Sequence, residues 1–531
     1  MAAQLPSAIA AFRKAEDGAL IIFALFLFVL MATMGGVAID IMRYETTRTE
    51  LSQTLDRCTL MAASLDQQLD PESVVNDCVA KAGLADKLQN VVVLDGLSSR
   101  DVQAIARADS EPFFMHMIGI DHFDAVARSR AVQTVTNVEI MLVLDVSGSM
   151  SGAKIANLRS AASNFVHRML STDTNNRVSI GIVPYNAQVN LGAALRGKFN
   201  ATDLHNVSDV NCLELPPAAF ASPALSRTLA LPMMAYSDHY YGTNTGSYYT
   251  STSDAAARPN FSNNYCRRAA NNTVYMPSQN ETALQARING LTAGGNTSIV
   301  LGMKWGTALL DPSARSIYDE FIDAGQMGAG LAGRPFDYTD TETLKVVVLM
   351  TDGEHVAHDR INDGYKSGLS PIYRSSGDGM YSIYHASRAG TAKFYVPHLN
   401  TWRSTAWTNN ATPAVQQDWR AIWANLKLSY VAWQFYGRAL GSSAYSAALN
   451  EMRSVYASVG TMDSQLQTTC TQAKNAGVVV YGIAFEAPTN GRTQISRCAS
   501  TPQHFYAAQG AEIGTAFDSI ASNLSMLKLT Q

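Results

Sequence analysis

The sequence predicts an α/β protein whose main part is a doubly wound, mostly parallel sheet with large insertions. One transmembrane helix and a small α+β module precede this sheet. Apolar strands alternate with amphipathic helices in the carboxy-terminal part of the chain, which is the pattern of a doubly wound sheet. An uncharged apolar run lies near the amino terminus, and the 531 residues are enough for two or three domains.

The apolar run at residues 18–39 carries no charged side chain. As a helix it would extend roughly 33 Å, which is enough to cross the hydrocarbon core of a bilayer. A secretory signal peptide has a shorter apolar core and a small-residue cleavage site, whereas this run is followed by Asp40 and Arg43. We therefore expect an uncleaved transmembrane helix at 18–39 and a cytoplasmic tail at 1–17. Basic residues flank both ends, so the positive-inside rule does not set the orientation.

The cysteines indicate the compartment. All six follow the apolar run, fall into three local pairs and form no zinc-binding pattern, so they are disulfide candidates. An even set confined to one side of a membrane helix is typical of an oxidising compartment, and the alternative is six reduced thiols in the core. We expect the body of the protein to lie outside the cytoplasmic membrane. The cysteines are Cys58, Cys78, Cys212, Cys266, Cys470 and Cys498.

The sequence of residues 40–135 predicts a juxtamembrane helix and a small α+β module. Leu51, Leu55, Cys58 and Ala62 recur at spacings of three and four, which is the apolar stripe of a helix. A Val-rich strand is expected at residues 91–94, and a second extended stretch at residues 113–115. The segment has the size of a small domain.

Residues 136–531 predict the large domain, and three of its loops carry oxygen donors. An apolar strand runs into Asp145, Ser147 and Ser149, and a second one runs into Thr351-Asp352-Gly353. Between them, a Gly-Gly turn places Thr297 before an apolar helical stretch. Loops that follow parallel strands meet at one edge of the sheet, and such oxygen donors suit a hard cation such as Mg²⁺. The alternative is that Asp and Ser cap a helix without any metal.

Two insertions interrupt this domain at about residues 190–279 and 355–436. The first is rich in Tyr, Ser and Asn, and the second carries five of the six tryptophans. Such aromatic loops suit a recognition surface, or alternatively they fill a small accessory core. The tryptophans of the second insertion are Trp402, Trp407, Trp419, Trp423 and Trp433.

The three oxygen-bearing loops resemble the metal-ion-dependent adhesion site, or MIDAS, of von Willebrand factor type A domains. That resemblance implies a divalent cation (Mg²⁺, or another such as Ca²⁺ or Mn²⁺) whose coordination an acidic side chain of a partner protein completes. Carried over residue by residue, the implied metal ligands are Asp145, Ser147, Ser149, Thr297 and Asp352.

The layout of the chain is similar to that of TadG-like proteins of the bacterial Tad (Flp-type) pilus-assembly system. The matching segments are residues 16–19 before the apolar run, 35–40 at its end, 48–53 in the following helix, and 498–500, 504–506 and 527–531 near the carboxyl end. The resemblance implies a single-pass protein of the bacterial inner membrane with its large carboxy-terminal part in the periplasm or outside the cell. It also implies an adhesion-type role in pilus assembly or surface attachment, with pilus or envelope proteins as partners.

Other classes of function find less support. A formal net charge of −4 gives no positive field that would attract nucleic acid. The chain contains no phosphate-binding loop, nucleophile elbow or zinc-protease motif, so we expect neither a small-molecule substrate nor enzyme activity. His355 and His358 near the site are either bases or ligands of a metal-dependent hydrolase, or solvated loop residues. A structural envelope or pilus component with a vestigial site is the other alternative.

Overall fold

The computed structural model describes residues 17–64, 69–95, 99–134, 137–171, 173, 175–238, 264–409 and 413–525. Nearly all of the predicted cytoplasmic tail and the Tyr-rich stretch at 239–263 therefore lie outside the described residues, as does the carboxyl end at 526–531. The chain divides into two compact units, with the boundary between residues 135 and 136.

Among its described residues, the first unit contains two α-helices and a three-stranded antiparallel sheet. Its sheet has the order β1-β2-β3. The predicted transmembrane helix and the juxtamembrane helix form one continuous helix of 47 residues, which is long and apolar enough to cross a membrane. The elements are α1 (Asp17–Ala63), α2 (Pro71–Lys81), β1 (Leu88–Asp95), β2 (Ser99–Ser110) and β3 (Phe123–Thr134).

The core of the first unit lies between α1, α2 and one face of the sheet. Leu51, Leu55 and Cys58 of α1 are buried there with alanines and valines of the strands. A disulfide joins Cys58 to Cys78 of α2. Asp70 accepts a hydrogen bond from the backbone N–H of Ser73 at 2.9 Å, so it caps the start of α2.

The predicted extended stretch at residues 113–115 is wrong. Phe113 and Phe114 lie in a bend, and Met115–Ile118 forms a short 3₁₀ helix between β2 and β3. The backbone N–H groups of residues 113–115 bond to the carboxylate of Asp40, so they do not join a strand ladder.

The second unit contains fifteen strands among its described residues. They are β4 (Asn137–Asp145), β5 (Val178–Tyr185), β6 (Ala201–Thr202), β7 (Leu231–Pro232), β8 (Tyr275–Ser278), β9 (Thr343–Thr351), β10 (His358–Ile361), β11 (Leu369–Ser375), β12 (Tyr381–Tyr384), β13 (Phe394–Val396), β14 (Thr401–Arg403), β15 (Ala414–Asp418), β16 (Arg453–Ala457), β17 (Val479–Phe485) and β18 (Phe505–Ala508).

Its α-helices connect and cover these strands. They are α3 (Ala153–Leu170), α4 (Gly192–Arg196), α5 (Glu281–Asn289), α6 (Ile299–Leu310), α7 (Arg315–Asp323), α8 (Trp419–Asn425), α9 (Leu428–Val431), α10 (Arg438–Leu440), α11 (Ser442–Met452), α12 (Val459–Asn475), α13 (Thr489–Cys498) and α14 (Glu512–Ser525). A π-helical stretch, Ala432–Gly437, lies between α9 and α10.

Six strands form the central sheet in the order β18-β17-β9-β4-β5-β8. Neighbouring strands are parallel except β8, which runs antiparallel to β5 at one edge. The predicted fold class, a doubly wound and mostly parallel sheet behind one long apolar helix and a small α+β module, is confirmed. The strand order reverses between β4 and β9, so the carboxyl ends of these two strands flank the topological switch point.

Helices pack against this sheet and against one another. Every residue of α6 is buried, and this helix contacts β4, β5 and β9 as well as α12. Phe165 of α3 packs against Phe517 of α14 with ring centroids 5.8 Å apart. Apart from Lys304 and Thr307, the residues of α6 are apolar or glycine, which is typical of a helix in the interior of a large domain. Lys304 Nζ donates to the backbone carbonyls of residues 222–224.

The chain leaves the central sheet twice. After β9 it builds a five-stranded sheet of order β14-β13-β12-β11-β15, and β10 pairs with β16 before α12. Trp419 and Trp423 are buried and stacked in the core of this region, with ring centroids 5.2 Å apart. These two tryptophans therefore fill an accessory core, as one of the two alternatives predicted.

All six disulfide candidates are paired, as predicted. Besides Cys58–Cys78, Cys212 bonds to Cys266 within the first excursion, and Cys470 of α12 bonds to Cys498 of α13.

Candidate metal centre

The five residues that resemble a MIDAS converge on the switch point of the sheet. Asp145 ends β4, and Ser147 and Ser149 follow it on a turn that contains the 3₁₀ helix Gly148–Met150. Thr297 lies just before α6, and Asp352 follows β9. Clefts outside the carboxyl ends of parallel strands at this point are where open α/β sheets bind ligands.

Hydrogen bonds connect four of the five residues directly. Asp145 Oδ1 accepts the backbone N–H of Ser147 at 2.8 Å, and the hydroxyls of Ser147 and Ser149 are 3.0 Å apart. Ser149 Oγ then donates to Asp352 Oδ1 at 2.7 Å. The structure therefore brings the first serine-bearing loop and the distant aspartate into one polar cluster.

Thr297 reaches the same cluster beside Gly353. A Cβ atom placed on Gly353 would lie 3.3 Å from Thr297 Oγ1 and 3.7 Å from Ser149 Oγ, so the two hydroxyls flank this glycine. The backbone N–H of Val356 donates to the carbonyl of Thr297 at 2.9 Å. The structure thus places all five predicted side chains together, and their role as metal ligands stays a prediction.

Glycines allow the loops to approach this closely. Gly148 N–H donates to the carbonyl of Gly295, and Gly294 N–H donates to the carbonyl of Val146, both at 2.8 Å. Gly295 has a φ of +88°, a conformation that glycine adopts without strain. The reciprocal bonds fix the Gly-Gly turn against the serine-bearing loop.

The cluster is buried except at one side. Asp145, Ser147, Thr297 and Asp352 are buried, whereas Ser149 is exposed. Burial, together with the nearby charge of Asp352, raises the pKa of Asp145 to about 6. Two carboxylates held close together in a buried position favour a bound positive charge.

Lys154 supplies one such charge and was not predicted as a site residue. Its Nζ lies 2.8 Å from Asp352 Oδ2 and 3.5 Å from Glu486 Oε2. Burial acts to lower the pKa of Lys154, but the hydrogen bond and charge of Asp352 outweigh it, so the pKa is raised. The only signal in the sequence was its place in the first turn of α3, directly after the serine-bearing loop.

Thr351 is a second unpredicted residue of the cluster. Its hydroxyl donates to Asp145 Oδ2 at 2.7 Å and accepts the backbone N–H of Gly353 at 3.1 Å. It holds the Asp145 carboxylate with Oδ1 turned toward Ser147. Outer residues of this kind orient the ligands of metal sites.

The two histidines are buried, so the expectation of solvated loop residues is wrong. His355 Nδ1 lies 2.7 Å from Asp463 Oδ1, and its Nε2 accepts the backbone N–H of Val300 at 3.0 Å. His355 therefore caps the first turn of α6. His358 Nε2 forms a hydrogen bond with Gln188 Nε2 at 2.9 Å, and its ring stacks on that of Tyr456 with the ring centroids 5.2 Å apart. These contacts hold both imidazoles within the fold, although the buried Nδ1 of His358 has no hydrogen-bond partner in the described part of the chain.

The donor set fits a hard divalent cation. Two carboxylates and three hydroxyls offer oxygen ligands only, which Mg²⁺, Mn²⁺ and Ca²⁺ prefer. In the part of the chain that the structure describes, no three His, Cys, Asp or Glu side chains form a metal-holding group. A transition-metal centre of the histidine or cysteine kind is thus absent from the described residues.

Comparison with known proteins gives one family match. Residues 18–65 match the family model of Tad, described as Flp pilus-assembly TadE/G-like. The predicted resemblance to Tad pilus-assembly proteins is therefore confirmed for the segment that contains most of α1. No curated protein matches the chain.

Several solved structures are distantly similar to this chain. The von Willebrand factor domain of the type V pili tip protein Mfa5 from Porphyromonas gingivalis is 14% identical, with a TM-score of 0.31, and the match covers 74% of this chain and 96% of that one. The adhesive tip pilin GBS104 from Group B Streptococcus agalactiae is 10% identical, with a TM-score of 0.31, over 73% of this chain and 100% of that one.

A third solved structure carries a metal in its own site. Proximal thread matrix protein 1 from the mussel byssus, with a zinc-occupied MIDAS motif, is 11% identical, with a TM-score of 0.28, over 73% of this chain and 48% of that one.

Proposed function

We propose that this protein is a membrane-anchored, metal-dependent binding component of Tad (Flp-type) pilus assembly or surface attachment. Its ligand is an acidic group of a partner protein from the pilus or the envelope. The observation that carries the proposal is the contact of Ser149 with Asp352, which joins loops 203 positions apart at the switch point of the sheet. The match of residues 18–65 to the Tad family supports the pilus-related part.

The roles of the side chains follow from their chemistry. Asp145 and Asp352 supply negative charge, and Ser147, Ser149 and Thr297 supply neutral oxygens. A divalent cation bound there would offer an open position to the carboxylate of a partner. The exposed side of Ser149 leaves a path for that carboxylate. We infer binding and not catalysis, since both nearby histidines are already engaged in structural hydrogen bonds.

We also propose that α1 anchors the chain in the bacterial inner membrane with the larger part in the periplasm or outside the cell. The apolar side chains of α1 from Leu20 to Met42 are largely exposed, which in water would be costly. Three disulfides, all formed by cysteines that follow the apolar run at residues 18–39, suit an oxidising compartment.

One observation favours a second candidate, a structural pilus or envelope component with a vestigial site. The ammonium group of Lys154 already pairs with Asp352, so one of the two carboxylates has a cationic partner without a metal. This candidate requires the same fold and anchor but no dependence on metal.

Mn²⁺ binding by the purified full-length protein distinguishes the two candidates. We expect one tight site, measured by electron paramagnetic resonance as loss of the free-ion signal and reversed by excess Mg²⁺. Asp145→Ala should abolish the site, and Ser147→Ala should weaken it about tenfold or more. Ser151→Ala is the matched control, because Ser151 is an exposed serine on the same loop. A wild-type protein that binds no Mn²⁺ would contradict the metal-dependent function and leave the structural candidate.

A further inference from the structure

Large apolar side chains are exposed in the turn between β2 and β3. Phe113 is 63% exposed and Phe114 40%, while Met117 is 68% exposed and Ile118 60%. We call residues 113–118 the apolar turn. A contiguous apolar patch of this kind on a protein surface marks contact with a partner or a membrane.

The carboxylate of Asp40 fastens the apolar turn to α1. Asp40 Oδ1 accepts the backbone N–H of Phe113 at 2.9 Å. Asp40 Oδ2 accepts those of Phe114 at 2.7 Å and Met115 at 2.9 Å. Three donors on one buried carboxylate satisfy its charge and fix the turn at one height along the helix.

Gly36 and Arg43 extend this contact along α1 on either side of Asp40. A side chain at Gly36 would clash with the ring of Phe114, so the ring packs directly on the helix backbone. The guanidinium of Arg43 lies 4.1 Å from the ring centroid of Phe113. Gly36 and Asp40 are roughly 6 Å apart along the helix axis. The apolar turn therefore spans the boundary where the apolar run at residues 18–39 ends.

We propose that the apolar turn inserts into the bilayer interface beside α1 and forms a second membrane contact of the first unit. This inference rests on the membrane anchor of the proposed function. Aromatic side chains with a neighbouring arginine are typical of the level of the lipid headgroups. A helix alone can rotate and tilt in a bilayer, whereas a second contact fastened to it sets the tilt.

The lipid surface is the occupant that the contacts favour. The exposed apolar residues of the turn adjoin the end of the apolar run of α1, where Ile39, next to Asp40, is also exposed. Glu111 and Asp121, both exposed, bound the turn on either side and would stay in water. A patch that is continuous with a membrane helix and bounded by charges matches the profile of a bilayer interface.

Nitroxide labels on the full-length protein in vesicles of phosphatidylethanolamine and phosphatidylglycerol test the proposal. The six native cysteines are paired, so one added cysteine gives one label site. Ile118→Cys reports on the apolar turn, and Phe26→Cys reports on the anchor. Leu94→Cys is the matched control, because Leu94 is an exposed apolar residue of β1, 63% exposed. Collisions with oxygen and with a water-soluble nickel chelate measure lipid and water contact.

We expect the label at position 118 to collide mainly with oxygen, as at position 26, and severalfold less with nickel than the label at position 94. Nickel access at 118 equal to that at 94, with lipid contact kept at 26, would overturn the inference and spare the anchor. Water contact at both 26 and 118 would contradict the anchor itself. A label at 118 that is shielded from both reagents would indicate a protein partner and overturn the lipid assignment.

The link to Asp40 provides a second measurement. With the label at 118, Asp40→Ala should release the apolar turn and raise both its mobility and its nickel access. Asp40→Asn keeps one acceptor oxygen, which can retain the bonds from the backbone N–H groups of Phe114 and Met115, and it should largely preserve lipid contact. Identical spectra for wild type and Asp40→Ala would show that the carboxylate does not hold the turn at the membrane.

Discussion

Ser149 donates a hydrogen bond to Asp352 with an Oγ–Oδ1 distance of 2.7 Å, although 203 positions separate the two residues. The bond exists because β4 and β9 are neighbours in the sheet and both end at the same edge. Asp352 also pairs with Lys154 through its other oxygen. One oxygen of Asp352 therefore accepts a hydrogen bond from the serine-bearing loop, and the other pairs with an ammonium group. Substitution of either partner tests whether Asp352 is available to bind a cation.

Lys154→Met should strengthen divalent-ion binding. The substitution removes the ammonium group that competes with a cation for Asp352, and a partly buried pair of this kind is worth about 1 kcal/mol. We expect the Mn²⁺ affinity to rise about fivefold. Titration calorimetry measures it, with Lys81→Met, which breaks an exposed pair with Asp77, as the control. A weaker affinity in Lys154→Met would mean that the lysine supports the site instead of competing for it.

Thr297→Val should reduce the stabilisation that a divalent ion gives. At an ion concentration of 100 times Kd, binding to the folded state alone adds about 2.7 kcal/mol of stability. Valine keeps the shape of threonine and removes the hydroxyl. Thermal melts with Mg²⁺ and with chelator measure the difference, and Thr391→Val, at an exposed threonine, is the control. An equal shift in Thr297→Val and wild type would remove Thr297 from the ligand set.

The convergence of the candidate site could be predicted from the sequence because its parts are local patterns with a known place in the fold. The Val- and Leu-rich runs of β4 and β9 are buried on both faces, as expected of central parallel strands. Their loops must then meet at one edge. Lys154 could not be predicted in this way, since its partner Asp352 lies 198 positions away and nothing in the local pattern marks the pair.

The strands of the first unit were less predictable than those of the central sheet, for a physical reason. In β2 and β3, alanines of the inner face alternate with arginines and other polar residues, so the apolar signal is weak even though the alanines are buried. The apolar residues of the turn between them gave the stronger signal and suggested a strand. The conformation of the turn is set instead by hydrogen bonds to the distant carboxylate of Asp40, and the sequence pattern does not reveal that contact.

Acid should destabilise the protein through His358. Burial lowers the pKa of His358 to about 4, from an ordinary value near 6.5. The unfolded chain therefore binds a proton at a pH where the folded one does not, so the stabilising contribution is complete above pH 6.5 and is lost as the pH falls toward 4. The free energy of unfolding should fall by up to about 3 kcal/mol, because each pKa unit of difference between the two states is worth about 1.4 kcal/mol.

Chemical denaturation between pH 4 and pH 7 checks the contribution of His358. His358→Phe keeps a ring against Tyr456 and should flatten the pH dependence by the stated amount. His116→Phe, at an exposed histidine, is the control and should leave the slope unchanged. Parallel pH curves for wild type and His358→Phe would show that the imidazole is protonated equally in both states.

The disulfide Cys58–Cys78 should stabilise the first unit by about 3 kcal/mol. It closes a loop with a sequence separation of 20, and the loss of chain entropy in the unfolded state is of that order. The double variant Cys58→Ser/Cys78→Ser should unfold at lower denaturant concentration.

Alkylation of the unreduced wild type should add no label, and six labels should appear after reduction. Labelling of unreduced protein from the envelope would contradict an oxidising compartment.

His355 should act on metal binding through Thr297, because it accepts the N–H of Val300 in the first turn of the helix that follows the threonine. His355→Ala leaves that N–H without an acceptor and should loosen the turn, and we expect about tenfold weaker Mn²⁺ binding. Asp463→Asn retains an oxygen that accepts from His355 Nδ1, so it should bind nearly as the wild type does. Calorimetry gives the affinity and thermal melts give the stability of each variant. Lower stability in His355→Ala with unchanged affinity would restrict the histidine to supporting the fold.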